Sequence, residues 1–92
     1  MNLKELLEFI VRSLVDIPEE VEVKETSAET VQVFEIFVAQ DDIGKVIGRE
    51  GRIANSLRTI VKAAAAKTGM RVTVEILTRQ EQQERQTAGS AA

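Results

Sequence analysis

The chain has 92 residues, enough for one domain with a modest core, and it contains no cysteine and no histidine. Disulfides, thiolate metal sites and the commonest general base are thereby excluded, which argues against most enzyme classes and leaves no metal site or cofactor to expect. Net charge is −3, yet Ile43 to Arg71 holds Lys45, Arg49, Arg52, Arg58, Lys62, Lys67 and Arg71 against Glu50 alone. An anion-binding face on an otherwise acidic body is the reading that fits.

In chain order, Asn2 and Glu5 form a capping-box pattern, and Leu3, Leu6, Leu7, Ile10 and Leu14 follow at helical spacing. A first helix is expected from about Leu3 to Val15, with Pro18 ending it. The acidic start lacks the apolar segment of a secretion signal, and the longest apolar run is too short to cross a bilayer, so a cytoplasmic protein without a membrane partner is expected.

Val21 and Val23 alternate with Glu20, Glu22 and Lys24 as in a half-exposed strand, and the polar run "TSAET" is expected to turn the chain. "VQVFEIFVA" is rich in β-branched and aromatic residues and puts Phe34, Ile36 and Val38 on one face of a second strand. Asp41 or Asp42 is placed to cap a short helix holding Ile43, Val46 and Ile47, which Gly48 ends. Read as a cap, this acid pair needs no catalytic role.

A long helix is expected from near Arg52 to Gly69, burying Ile53, Leu57, Ile60 and Ala64. "RVTVEIL" makes the last strand, with Val72, Val74 and Ile76 on one face. Beyond it, residues 79–92 show no apolar periodicity and are expected to be a polar, disordered tail after a domain of residues 1–78. The order is α-β-β-α-α-β, an α+β fold with a three-stranded sheet covered by helices on one face.

"DDIGKVIGREGR" carries the chemistry. Gly48 and Gly51 bracket two charged residues at the start of a helix, whose free N–H groups and positive dipole end favour a phosphate. Gly44, one turn earlier, lowers the surface over which a ligand would pass. The spacing is not that of a dinucleotide-binding fingerprint or of a P-loop, so nucleotide hydrolysis is disfavoured.

"VIGREGR" resembles the G-X-X-G loop of a KH domain, and the helix and two strands before it resemble the type II arrangement. With "DDIGKVIGREGRIANSLRTIVKAAA" at its centre, the chain is similar, from roughly Leu3 to Leu77, to the small stand-alone bacterial KH-domain RNA-binding proteins of the KhpA type. The resemblance implies a non-enzymatic protein, an RNA chaperone or post-transcriptional regulator, that grips about four nucleotides of single-stranded RNA between this loop and the second strand. Gly44, Lys45, Ile47, Gly48, Arg49, Glu50, Gly51 and Arg52 would contact RNA, and Ile43, Val46, Ile53 and Leu57 would shape the groove or the core beneath it. Glu50 departs from the pattern by setting a negative charge in the clamp, which pairing with Arg52 would offset. With no tryptophan or tyrosine, aromatic stacking is not the main source of affinity.

The resemblance also implies a homodimer and pairing with a larger KH-containing protein. Two surfaces fit self-association: the helix end at Ile60, Val61 and Ala63 to Ala66, and the strand face carrying Val33 and Phe37. The alternative is an assembly subunit that keeps the KH fold for dimerisation and has little RNA affinity of its own.

Overall fold

The structure, a computed structural model, describes residues 2–91, with side chains described as far as Arg85. Helix α1 spans Leu3–Leu14, and the Asn2 side chain caps it by accepting the Glu5 N–H at 2.8 Å. Its inner stripe buries Leu7 and Val11, while Phe9 stands exposed on the far side.

A single 3₁₀ turn opened by Pro18 leads into strand β1, Glu22–Ala28, which pairs antiparallel with β2, Val31–Val38. The hairpin is tighter than expected. Thr26, Ser27 and Ala28 pair with Val33, Gln32 and Val31, so only Glu29 and Thr30 turn, with Glu29 in the left-handed region at φ 51°. Polar residues suit this exposed edge strand, because an edge has only one partner and faces water.

Helix α2, Ile43–Ile47, and helix α3, Arg52–Ala65, form the crossover that a parallel strand requires. Strand β3, Arg71–Thr78, then lies parallel to β2, giving the order β1-β2-β3 with β2 in the centre. The α-β-β-α-α-β order and the α+β class are as the sequence predicts. Phe34, Ile36 and Val38 face Leu7, Val11, Val46, Leu57 and Val61, and Val23 and Val74 complete this core.

Two expectations are corrected. The buried stripe of α3 is Ala54, Leu57, Val61 and Ala65, so Ile60 is 45 % exposed and Ala64 faces outward. Both stripes have helical spacing and share Leu57; the observed one puts the small Ala54 and Ala65 inward. In addition, residues 79–91 are helix α4, Arg79–Ala91, where a disordered tail was expected.

A capping box starts α4: Thr78 Oγ1 accepts the Glu81 N–H at 3.1 Å, and Glu81 Oε1 accepts the Thr78 N–H at 3.2 Å. The helix is then fastened across the sheet face opposite α1 to α3. Arg79 reaches Glu22 at 2.6 Å, Gln82 donates to the same carboxylate at 2.7 Å, and Arg85 lies 2.9 Å from Glu35 and 3.4 Å from Glu75. Phe37 and Leu77 are buried on this face, with the Lys24 ammonium 5.7 Å from the centre of the Phe37 ring. The sheet is thus covered on both faces, and Phe37 is not an exposed patch. No helix among the described residues is long and apolar enough to cross a membrane.

Candidate nucleic-acid interface

Helix α2 stops at Gly48 because the backbone there turns to φ 76°, ψ 176°, while the Gly48 N–H still closes onto the Gly44 carbonyl at 2.9 Å. One 3₁₀ turn, Arg49–Gly51, follows, with Glu50 at φ 55° and Gly51 at φ 73° in the left-handed region. Helix α3 then begins with no side chain capping its first amides. The turn closes on itself instead: the Gly51 N–H donates to the Gly48 carbonyl at 3.2 Å and the Arg52 N–H to the Arg49 carbonyl.

The glycines serve different needs. A Cβ on Gly48 would lie 2.7 Å from Ile53 Cγ1, so close packing of the loop on Ile53 and the positive φ both demand glycine. A Cβ on Gly51 would meet only Asn55 Nδ2, at 3.9 Å, so its need is the left-handed backbone facing open space. Gly44 is exposed with no atom within 4 Å of a would-be Cβ, which leaves the surface of α2 flat there.

Arg49 and Glu50 are exposed, and Arg49 pairs with no carboxylate among the described residues. Glu50 lies 3.6 Å from Arg52, both side chains being 80 % exposed. Such a pair is worth little in water and exchanges readily with another anion. Ile43, Ile47 and Ile53 are half-buried around the loop.

Val46 is fully buried and Leu57 is 3 % exposed, so of the two places expected for them, the groove or the core beneath it, both take the core. Lys45 turns away from the loop toward the α1–β1 connection, where its ammonium lies 3.1 Å from Asp16 and 3.3 Å from Asp42. Its charge is already committed.

Asp42 is the residue that explains this placement. It is 1 % exposed and makes no cap for α2; its carboxylate accepts the Asp16 N–H at 3.2 Å and the Ile17 N–H at 2.9 Å. Burial alone would raise its pKa, but those two amides and Lys45 outweigh burial and hold the carboxyl below its usual range. Hydrogen bonds to Asp16, then to Asp42, push Lys45 up from its usual value. This cluster ties α2, and so the start of the loop, to the end of α1.

The strand beside the loop also differs from expectation. Strand β2 is central and hydrogen-bonded on both sides, so the strand that borders α3 with a free edge is β3. Arg58 marks that edge: its Nε donates to the Val74 carbonyl at 3.3 Å and its Nη1 to Asn55 Oδ1 at 3.3 Å. Nothing in the spacing of a single sequence distinguishes the two strand orders, and the Arg58 contact follows from the order.

A family model described as the KH domain of KhpA and KhpB matches residues 4–76, from α1 through the loop into β3. The chain belongs to this KhpA/KhpB KH-domain family. The family is non-enzymatic. Among its members, the RNA-binding protein KhpA of Clostridium acetobutylicum is 53 % identical over 75 residues, covering 82 % of this chain and all of that protein. The RNA-binding protein KhpA of Borreliella burgdorferi is 52 % identical over 73 residues, 79 % of this chain and 89 % of the relative. That of Chlamydia trachomatis is 43 % identical over 75 residues, 82 % of this chain and 96 % of the relative. No solved structure matches the chain. The KhpA/KhpB match stops before α4, so the helix fastened across the outer sheet face lies beyond the matched domain.

Proposed function

We propose that this chain is a cytoplasmic, single-stranded RNA-binding protein of the type II KH arrangement, acting as an RNA chaperone or post-transcriptional regulator. The observation that carries the reading is the Gly48–Gly51 turn at the start of α3, with an exposed Arg49 that pairs with no carboxylate among the described residues, in a chain whose relatives are named for RNA binding. The turn grips the backbone of about four nucleotides. The half-buried Ile43, Ile47 and Ile53 offer the bases aliphatic surface, which carries little sequence preference. On the opposite side stands β3. Lys45 contributes to the orientation of α2 rather than to phosphate contact.

With Lys45 committed, the loop amides, Arg49 and Arg52 make roughly one to three phosphate contacts, so log K falls with log salt at a slope of about −0.7 to −2.1. A filter-binding titration of single-stranded RNA tests this reading. Arg49→Asp with Glu50→Asp should nearly abolish binding with a native circular dichroism spectrum; unchanged affinity in a folded double variant contradicts it.

Self-association is the second element, and Ile60 favours it. This side chain is 45 % exposed beside the exposed Ala63 and Ala64, an apolar strip on α3 that a second copy or a larger KH-containing partner can cover. Pairing two weak clamps raises apparent affinity through effective concentration. The alternative, an assembly subunit with little RNA affinity, would show the same Ile60 contact and no dependence of RNA affinity on the loop.

A further inference from the structure

Gly51, Asn55, Arg58 and Lys62 recur along α3 at three- and four-residue spacing, which sets them in one row on the helix surface. Contacts join the row: Asn55 Nδ2 lies beside Gly51, Asn55 Oδ1 accepts from Arg58 Nη1, and Arg58 Nε reaches the Val74 carbonyl on the free edge of β3. Between α3 and β3 a groove continues from there, with Arg58 and Lys62 on one wall and Thr73 and Val74 on the other. It opens into a second hollow at the far end of the helix, bounded by Lys62, Met70, Arg71, Val72 and Val31.

The charge in this hollow is uncompensated. Lys62 and Arg71 are exposed, neither pairs with a carboxylate among the described residues, and no acidic side chain lines either part of the groove. Between the two cations lie Val31, 36 % exposed, and the half-buried Met70 and Val72. Cations beside an apolar floor suit a strand whose phosphates take the charges while a base rests on the floor.

We propose that Lys62 and Arg71 form a second phosphate-contact point, which holds single-stranded RNA after it leaves the Gly48–Gly51 turn and runs along the α3–β3 groove. The inference rests on the RNA-binding reading above and extends its footprint. From Gly51 to Lys62 the helix advances about 16 Å. At the roughly 3.4 Å advance of a stacked strand, that length takes roughly four to five nucleotides beyond the loop.

Fluorescence anisotropy with labelled oligoadenylates of four and twelve nucleotides tests the path, comparing the wild-type chain with Lys62→Ala/Arg71→Ala. Both side chains are exposed and without a carboxylate partner among the described residues, so the variant should keep the wild-type melting temperature. A twelve-nucleotide strand gains affinity simply from offering more registers, so the decision rests on the difference between the two proteins. The double variant should lose roughly fivefold or more on the longer strand, with a salt slope smaller in magnitude by about 1.4, as two lost contacts require. On the four-nucleotide strand the two proteins should agree within about twofold. Equal affinities and equal slopes on the longer strand overturn the second contact point, as does an equal loss on both strands, which would merge these residues with the loop clamp. Wild-type protein that binds neither strand overturns the RNA reading itself.

Discussion

Where α2, the Gly48–Gly51 turn and α3 meet, Arg49 has no carboxylate partner among the described residues, and Arg52 makes an exposed contact to Glu50 at 3.6 Å. On the other face of the sheet, Arg79 pairs with both Glu20 and Glu22, and Arg85 lies between Glu35 and Glu75. The same residue type thus does opposite work in the two regions. On the outer face arginine fastens a polar helix over Phe37 and Leu77, and its charge is neutralised within the chain. On the loop side the charge is left over, and an exposed cation on a glycine turn is what a phosphate strand can use. The acidic total of the chain conceals this division, because most of the carboxylates lie outside the loop and α3.

The sharpest way to break the comparison is at the glycines, which should separate folding from binding. Gly48→Ala puts a Cβ 2.7 Å from Ile53 Cγ1 at a positive φ and should destabilise the chain by about 1–3 kcal/mol, read by thermal unfolding, and weaken RNA binding as well. Gly51→Ala has only the φ strain, about 1 kcal/mol, and should lose more in affinity than in stability. A large fall in melting temperature for Gly51→Ala with normal affinity would make the turn a packing device rather than a clamp.

On the outer face the expectation is reversed. Arg85→Glu removes the contacts to Glu35 and Glu75 and sets like charges together, and exposed pairs of this kind are worth about 0.2–1 kcal/mol each. Melting temperature should fall slightly and RNA affinity should stay within about twofold. An affinity that collapsed with α4 would join the two regions into one site.

Acid titration is the smallest effect near neutrality. The Gln82 side chain, against some opposing burial and with help from Arg79, lowers the Glu22 carboxyl, and the Asp42 carboxyl is also lowered. Groups whose folded pKa is depressed contribute stability that is present above their unfolded values of 4.5 and 3.8, and that is lost as pH falls through the lower folded values. Lys45 behaves inversely: its raised pKa gives stability below the usual 10.5 that is lost as pH climbs through the folded value. Melting temperature should therefore be flat from about pH 6 to 8 with respect to these groups and fall in acid below about pH 4. A fall between pH 7 and 5 would point to a different titrating set.

Much of the fold was legible because it is written in local periodicity. Alternation in "VQVFEIFV" sets the β2 face that forms the core, the Asn2–Glu5 pattern starts α1, and Gly48 ends α2. The phase of α3 was harder, since the apolar positions offer two adjacent stripes and only the sheet beneath decides for Ala54, Val61 and Ala65. The turn that the proposed site is built on was legible at Gly48 and Gly51, whose spacing marks the break between α2 and α3. The placement of Lys45 was not legible, because the partners that commit it, Asp16 and Asp42, come together only when α1 packs beside α2. Helix α4 had one local signal, Thr78 and Glu81 at capping-box spacing. The rest of its hold is made by contacts such as Arg79 to Glu22 that span most of the chain.

The division between a binding side and a fastened side is tested most directly by amide chemical-shift mapping on titration with a short single-stranded RNA. The account predicts that the largest shifts fall on Gly48 to Arg52 and the neighbouring first turn of α3, with Glu22, Glu35 and Arg79 to Arg85 little changed. Shifts concentrated on α4 and the outer sheet face, with the Gly48–Gly51 turn unmoved, would contradict it.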